Sequence, residues 1–205
     1  MSKRDNAGLR DKVRLRTQAR HLVEEPVVLE THGGWGEIWR YVYRDVETGT
    51  VFEKDEAKAE ALAAQRPTWA VYLGECERAI TAGVGKHLTY SLVDIDPYGD
   101  PWPTIDAVLS GAVPLAERLV IVVNDGLRRA IRLGRGWQIE SIRPMIVRWG
   151  TEHINDVYDR ACLEFLAEKA EAVGYELRQW TCFYAGHNQQ MTHYAAQLTR
   201  SGGAK

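Results

Sequence analysis

"YSLVDIDPYGDPWPTID", residues 90–106, is the stretch on which the reading of the fold turns. An apolar run of strand character, with Leu92 and Val93 at its centre, ends in Asp94 and Asp96 and is followed at once by Pro97, Tyr98 and Gly99. Side chains alternate between the faces of a strand, so the two carboxylates share one face. Asp-Pro and Gly make a good turn. A turn needs no acid pair, however, and burying carboxylates without partners costs several kcal/mol each. Acids that end a buried strand in front of a rigid loop fit the carboxyl edge of a parallel sheet, where such sheets bind ligands.

On both sides of this stretch the chain alternates strand and helix. Residues 26–29 (PVVL) read as a short buried strand that leads into the glycine-rich "ETHGGWGEIWRYVY" and a helix. "GTVFEKD" is a second strand, and Asp55 can cap the helix "EAKAEALAAQ". "TWAVYLGE" and "CERAITAG" supply a third strand and a short helix stopped by Gly83. After the opening stretch and its helix "TIDAVLSG", "RLVIVVND" is continuously apolar, as expected of a strand covered on both faces.

The last third predicts one long amphipathic helix over 151–174, with Ile154, Val157, Tyr158, Ala161, Phe165, Leu166 and Val173 at helical spacing. Thr151 and Gly174 are its candidate caps. Two neighbouring strands, "YELRQWTCFYAG" and "MTHYAAQLT", close the chain around the polar loop His187-Asn188-Gln189. The pattern predicts a doubly wound, Rossmann-like α/β sheet, mostly parallel, with an antiparallel strand near the edge. The expected organisation is a basic, helical N-terminal arm over 1–25, one domain over 26–200 and a disordered tail over 201–205.

Composition bounds the function. A chain of 205 residues, 45% hydrophobic and 26% charged, has the ordinary make-up of a globular domain with a full core. It contains neither a membrane-length apolar run nor a signal-peptide segment. Cys76, Cys162 and Cys182 are three in number and far apart, which predicts reduced thiols in a cytoplasmic protein. The net charge of −2 conceals an excess of +5 in residues 1–20 and −7 in the remainder. Lys3, Arg4, Arg10, Lys12, Arg14, Arg16 and Arg20 either form a nucleic-acid-docking arm or decorate a solvated helix.

At the predicted carboxyl ends of the strands lie the candidate ligand residues. The first strand ends in Glu30, followed by Thr31, His32, Gly33, Gly34, Trp35 and Gly36, where glycines let backbone amides approach a ligand closely. The second ends at Glu53, which suits the paired hydroxyls of a ribose, the third at Glu75, and the fourth at Asp94 and Asp96. Taken singly, each is a turn or a solvated acid. Their recurrence at successive strand ends points to a nucleotide-like cofactor.

In this order the residues resemble the class I S-adenosylmethionine-dependent methyltransferases over roughly residues 26–200. "LETHGGWGEI" is similar to their "(D/E)-x-G-x-G-x-G" motif: Glu30, Gly34 and Gly36 match, and His32 stands at the first glycine position. The resemblance implies S-adenosylmethionine as cofactor, held by Glu30, His32, Gly34, Gly36, Glu53 at the ribose, Glu75 by the adenine amino group, and Asp94. "VDIDPYGDPWPTIDAVL" is similar to the "D-x-D-P-(F/Y)-G-S-P-x-P-F-x-D" segment of the tRNA guanosine N2-dimethyltransferases, with Asp100 in place of the serine and Thr104 in place of the aromatic. The chain is shorter than those enzymes and is expected to lack their second RNA-binding domain. Amino-adenine methyltransferases carry a related "D-P-P-Y", from which one proline is missing here.

The motif suits methylation of an exocyclic amine, whose nitrogen lone pair is delocalised into the base. Asp96 and the Pro97 carbonyl would accept its two N–H bonds and stabilise the charge that develops, while Tyr98 would stack on the base. Alignment of donor and acceptor can supply about 7–11 kcal/mol, so no strong base is required. Asp94 is assigned to supporting the loop or the cofactor. The expected substrate is a nucleobase, RNA guanine favoured over DNA. The alternatives are a DNA adenine amino-methyltransferase, a protein or small-molecule methyltransferase, and a catalytically silent module that binds nucleic acid. His153, His187 and His193 lack metal-ligand spacing, so no metal is expected. No "GxSxG" occurs. Trp35 and Trp39 are expected to pack, and Trp102 either packs or walls a pocket.

Overall fold

The computed structural model describes residues 8–202. Its strands are β1 (Val28–Glu30), β2 (Gly49–Glu53), β3 (Ala70–Leu73), β4 (Tyr90–Ile95), β5 (Leu115–Asp125), β6 (Tyr175–Ala185) and β7 (Met191–Arg200). They form one sheet in the order β3-β2-β1-β4-β5-β7-β6. Strands β1 to β5 are parallel, and β7 runs antiparallel to both β5 and β6. The order reverses between β1 and β4, which places the ligand edge of the sheet at their carboxyl ends. The predicted sheet is therefore the observed one, including the antiparallel strand next to the edge.

The continuous apolar runs are explained by burial on both faces. Val28, Val51, Leu92, Val120 and Val122 point to one side, where they meet Leu15, Ala19, Val42, Tyr43 and Leu62. Leu29, Phe52, Val93, Ile121 and Val123 point to the other and meet Ile80, Ile105, Val108, Ala161 and Leu166. The first side is covered by helices α1 (Leu9–Arg20) and α2 (Glu56–Gln65) and by a π-helical turn, Trp39–Tyr43. The second is covered by α3 (Cys76–Thr81), α4 (Trp102–Leu109) and α7 (Tyr158–Ala172). Asp55 caps α2 by accepting from Lys58 N at 3.1 Å, as the sequence predicted.

Two elements differ from expectation. The long helix begins at Tyr158 and not at Thr151, because residues 151–157 form successive turns. Asn155 and Asp156 are poor helix formers that favour turns, and Ile154 is buried although it lies outside any helix. Between β5 and that helix stand two further short helices, α5 (Leu127–Arg132) and α6 (Arg143–Trp149). The second difference concerns the basic N-terminal segment. Lys3 and Arg4 lie outside the described residues, but α1 is packed on β5 and β7 with Leu15, Arg16 and Ala19 buried.

Candidate active site

The glycine loop after β1 is shaped by packing as well as by backbone freedom. A Cβ on Gly33 would lie 2.5 Å from a Leu62 methyl and 2.6 Å from a Val51 methyl, so any side chain there would force both to move. Gly36 adopts φ 76, and its amide closes the turn on the Gly33 carbonyl at 3.0 Å. Glu53 holds this loop from the end of β2: Oε2 accepts from Gly34 N at 2.8 Å, and Oε1 from Lys54 N and Asp55 N at 2.9 and 3.0 Å. An ionised carboxylate has about four acceptor positions, so Glu53 retains one for a ligand hydroxyl.

Glu30 and Asp94 are adjacent in register on β1 and β4 and face the α1 side of the sheet. Both are sealed by guanidinium groups. Arg66 pairs with Glu30, and Arg16 pairs with Asp94 through Nε to Oδ2 and Nη2 to Oδ1, both at 2.7 Å. Tyr43, delivered by the π-helical turn, donates to Asp94 Oδ2 at 2.9 Å. Burial pushes the Glu30 carboxyl up to about 7 against the pull of Arg66. These two acids anchor the ends of β1 and β4; Asp94 has both oxygens engaged, whereas Glu30 is engaged through Oε2.

Asp96 stands one step further out, and it is more accessible. Lys12 Nζ bridges its two oxygens at 2.7 and 2.8 Å, Asn124 Nδ2 donates to Oδ1 at 2.6 Å, and Arg16 lies 3.5 Å from Oδ2. Burial alone would raise this carboxyl, but Arg16, Lys12 and the hydrogen bonds outweigh it and hold it down at about 2. Asp96 is thus a permanent anion and hydrogen-bond acceptor. His193, the cross-strand partner of Asn124, is driven down to about 4 by burial and by Arg16 and Lys12, and is neutral beside this cluster.

Beyond Asp96 the loop is fixed at both ends. Pro97 is buried. Gly126 N donates to the Gly99 carbonyl at 2.8 Å, and a Cβ at Gly126 would lie 3.0 Å from Gly99 Cα. Asp100 accepts from Trp102 N at 3.0 Å and from Ser141 Oγ. From this rigid frame Tyr98 projects with 95% of its surface exposed. Trp102 is fully buried and packs edge-on to Phe165 at 4.8 Å, so it belongs to the core and walls no pocket.

The remaining predicted acid, Glu75, sits on the rim at the start of α3, exposed and 3.9 Å from Lys54. Its neighbours Cys76 and Glu77 turn inward toward His32, with Cys76 Sγ 3.7 Å from His32 Nε2 and Glu77 Oε1 accepting from Thr104 Oγ1 at 2.5 Å. Burial lowers the His32 pKa, while Glu77, Asp96, Glu53 and Asp94 pull it upward. All four acids therefore bear on one place, the residue at the first glycine position. Gly34, Gly74 and Gly99, which follow β1, β3 and β4, have no atom within 4 Å of where a Cβ would be. The backbone along this edge is open, which fits the approach of an elongated cofactor.

Sequence reasoning missed Lys12, Arg16, Tyr43 and Asn124 around the acids, and Cys76 and Glu77 beside His32. The charge excess of residues 1–20 was visible, but the partners of Arg16 and Lys12 lie 78 and 84 residues away. The basic helix is packed on the sheet and is not a solvated helix without partners. Lys12, Arg16 and Arg20 are ion-paired with Asp96, Asp94 and Asp45, and Arg14 lies over the Phe183 ring.

No protein-family model matches the sequence, and no curated protein matches it. Solved structures do. TYW2 from M. jannaschii, in complex with AdoMet, is 15% identical, with 98% of this chain and 78% of that chain covered and a TM-score of 0.61. Trm1 from Pyrococcus horikoshii, with S-adenosyl-L-methionine, is 12% identical, with 95% and 55% covered and a TM-score of 0.64. The plantazolicin methyltransferase BamL, in complex with a triazolic desmethylPZN analog and SAH, is 9% identical, with 98% and 87% covered and a TM-score of 0.56. The fold is that of the class I methyltransferases. This chain spans about half the length of the Trm1 structure, 55% of it.

Proposed function

We propose that this protein is an S-adenosylmethionine-dependent methyltransferase acting on the exocyclic amino group of a nucleobase, with RNA guanine as the favoured acceptor. The observation that carries the reading is Tyr98. With 95% of its surface exposed on a clamped loop, the ring contributes almost nothing to packing and leaves its face free. It follows Asp96 and Pro97 at the end of β4 and offers a base a stacking surface. The similarity to the AdoMet complexes of TYW2 and Trm1 supports the cofactor and the class of reaction.

The cofactor, when bound, supplies an electrophilic methyl group. The amides of the loop around Gly34 and Gly36, the remaining acceptor position of Glu53 and the rim carboxylate of Glu75 are the groups that would hold it. Asp96 serves as an acceptor and not as a base, because a carboxyl held down at about 2 has almost no proton affinity at neutral pH. One N–H of the target amine donates to Asp96 and the other to the Pro97 carbonyl, which concentrates the lone pair on nitrogen and offsets the positive charge that develops there. After transfer the methylated amine, a strong acid while cationic, releases its extra proton to solvent. Lys12 shares Asp96 with the target amine and swings aside when the acceptor docks, which its part-exposed side chain permits. Docking of nucleic acid on the α1 side falls to Arg10 and Arg14, the exposed cations of that helix.

The test is transfer of labelled methyl groups from S-adenosylmethionine to tRNA, DNA and protein, followed by nucleoside mass spectrometry. Methylguanine in RNA is the expected product. Label in DNA adenine, in protein or in a small molecule would replace the acceptor, and absence of cofactor binding by calorimetry would leave a silent nucleic-acid-binding module.

A further inference from the structure

On the face of the sheet opposite the Arg16–Asp94 pair, three side chains of different chemistry converge. His32 follows β1, and Cys76 and Glu77 open α3; one ligand atom from each lies within 4.8 Å of the other two. Their distance in sequence, 44 residues between His32 and Cys76, hides the group from any spacing motif.

The hydrogen bonds around the cluster point its lone pairs inward. Thr31 Oγ1 donates its proton to the Asp94 carbonyl at 3.1 Å, so toward His32 Nδ1, 2.8 Å away, it can only accept. Nδ1 therefore carries the ring proton, and Nε2 presents a lone pair to Cys76 Sγ. A ligating histidine almost always has its second nitrogen held in this way. The Thr104 hydroxyl plays the matching part for Glu77, binding Oε1 at 2.5 Å and fixing the carboxylate.

We propose that His32 Nε2, Cys76 Sγ and the Glu77 carboxylate form a binding site for a divalent transition-metal ion of the zinc class. Bonds of about 2.3 Å to sulfur and about 2.0 Å to nitrogen at a tetrahedral angle separate the two atoms by about 3.5 Å. The observed 3.7 Å is within easy adjustment of that. A donor set of thiolate, imidazole and carboxylate selects zinc-like ions over magnesium or calcium, which prefer oxygen alone. Cys76 is buried while His32 and Glu77 are partly exposed, so solvent reaches the cluster and one coordination position is left for an exogenous ligand. The site does not depend on the methyltransferase reading, although it shares His32 with the glycine loop.

The experiment is titration of the chelator-treated full chain with Co2+, followed by the sulfur-to-metal charge-transfer absorption in the near ultraviolet. One ion per chain and a thiolate band are expected. Cys76→Ser should abolish the band, whereas Cys162→Ser and Cys182→Ser should retain it. Glu77→Gln, at a partly exposed position that tolerates the change, should weaken binding at least about tenfold. Thr31→Val, which releases the imidazole, should weaken it by about 10–100-fold. A wild-type chain with no thiolate band at saturating Co2+, or a band that survives Cys76→Ser, overturns the site.

Discussion

Asp96, the residue after β4, and Asp125, the last of neighbouring β5, differ in the face of the sheet they meet. Asp96 points to the α1 side, where Lys12 and Arg16 hold it ionised at about 2. Asp125 points to the α7 side, where Tyr158 OH donates to it at 2.9 Å, Leu127 N at 2.7 Å, and Cys162 lies 3.9 Å away. Its hydrogen-bond partners among the described residues are all uncharged, and burial drives its carboxyl up to about 7. The same residue type at the same sheet edge is thus a fixed anion on one face and a titratable group on the other. What decides between them is the strand's two-residue alternation and the helix that covers each side.

The comparison can be broken most forcefully at Arg16. Arg16→Met leaves Asp94 buried without its cation and should cost about 3–5 kcal/mol in urea unfolding. Adding Asp94→Asn should restore much of that loss, and a near-neutral single variant would show that the pair does not hold the β4 end. On the other face the effect is one of pH. The folded-state pKa of Asp125 lies above the ordinary 3.8, so its share of stability is full below about 4 and is lost as pH rises through about 7. Asp125→Asn should flatten this decline by at most about 1.4 kcal/mol per pH unit. Asp96 has the opposite sign: its contribution is present above about 4 and disappears only as pH falls through about 2.

Activity sharpens the contrast further. Asp96→Ala should lower methyl transfer by about 10²–10³-fold while cofactor binding measured by calorimetry stays intact, since only an acceptor contact is removed. Wild-type rates in this variant would sink the assignment. Tyr98→Ala should weaken acceptor binding by about 1–3 kcal/mol. With 95% of the ring already in water, its melting temperature should be unchanged. A drop in melting temperature would mean that the ring packs against something and that its exposure is not the signature of a binding surface.

The fold was legible wherever local pattern and burial agree. The valine and isoleucine runs of β4 and β5, the Asp55 cap of α2 and the polar hinge between β6 and β7 all announce themselves in sequence, because each depends on near neighbours. The expected helix 151–174 is longer than the observed one: apolar spacing continues through Asn155 and Asp156, whose turn preference delays the start of the helix to Tyr158. Within the site, the acids at the strand ends could be named, but not which of them would be engaged. Glu30 and Asp94 owe their sealing to Arg66 and Arg16, and the His32 cluster joins two loops; such pairings are set by sheet order, which no single window of sequence contains.

The Arg16–Asp94 pair also fixes an order of events in the chain's own synthesis. Helix α1 leaves the ribosome 78 residues ahead of its partner acid and well before β5 and β7, the strands on which it lies. Before those strands exist, α1 has Asp94, Tyr43 and the π-helical turn to meet, but not the β5 and β7 surface that completes its burial. Completion of α1 docking is therefore a late, long-range step, of the kind whose loop-closure entropy is paid before its last contacts form. A nascent chain stalled before β7 should present α1 only partly packed, so complete burial of the α1 face waits on the last strand of the sheet.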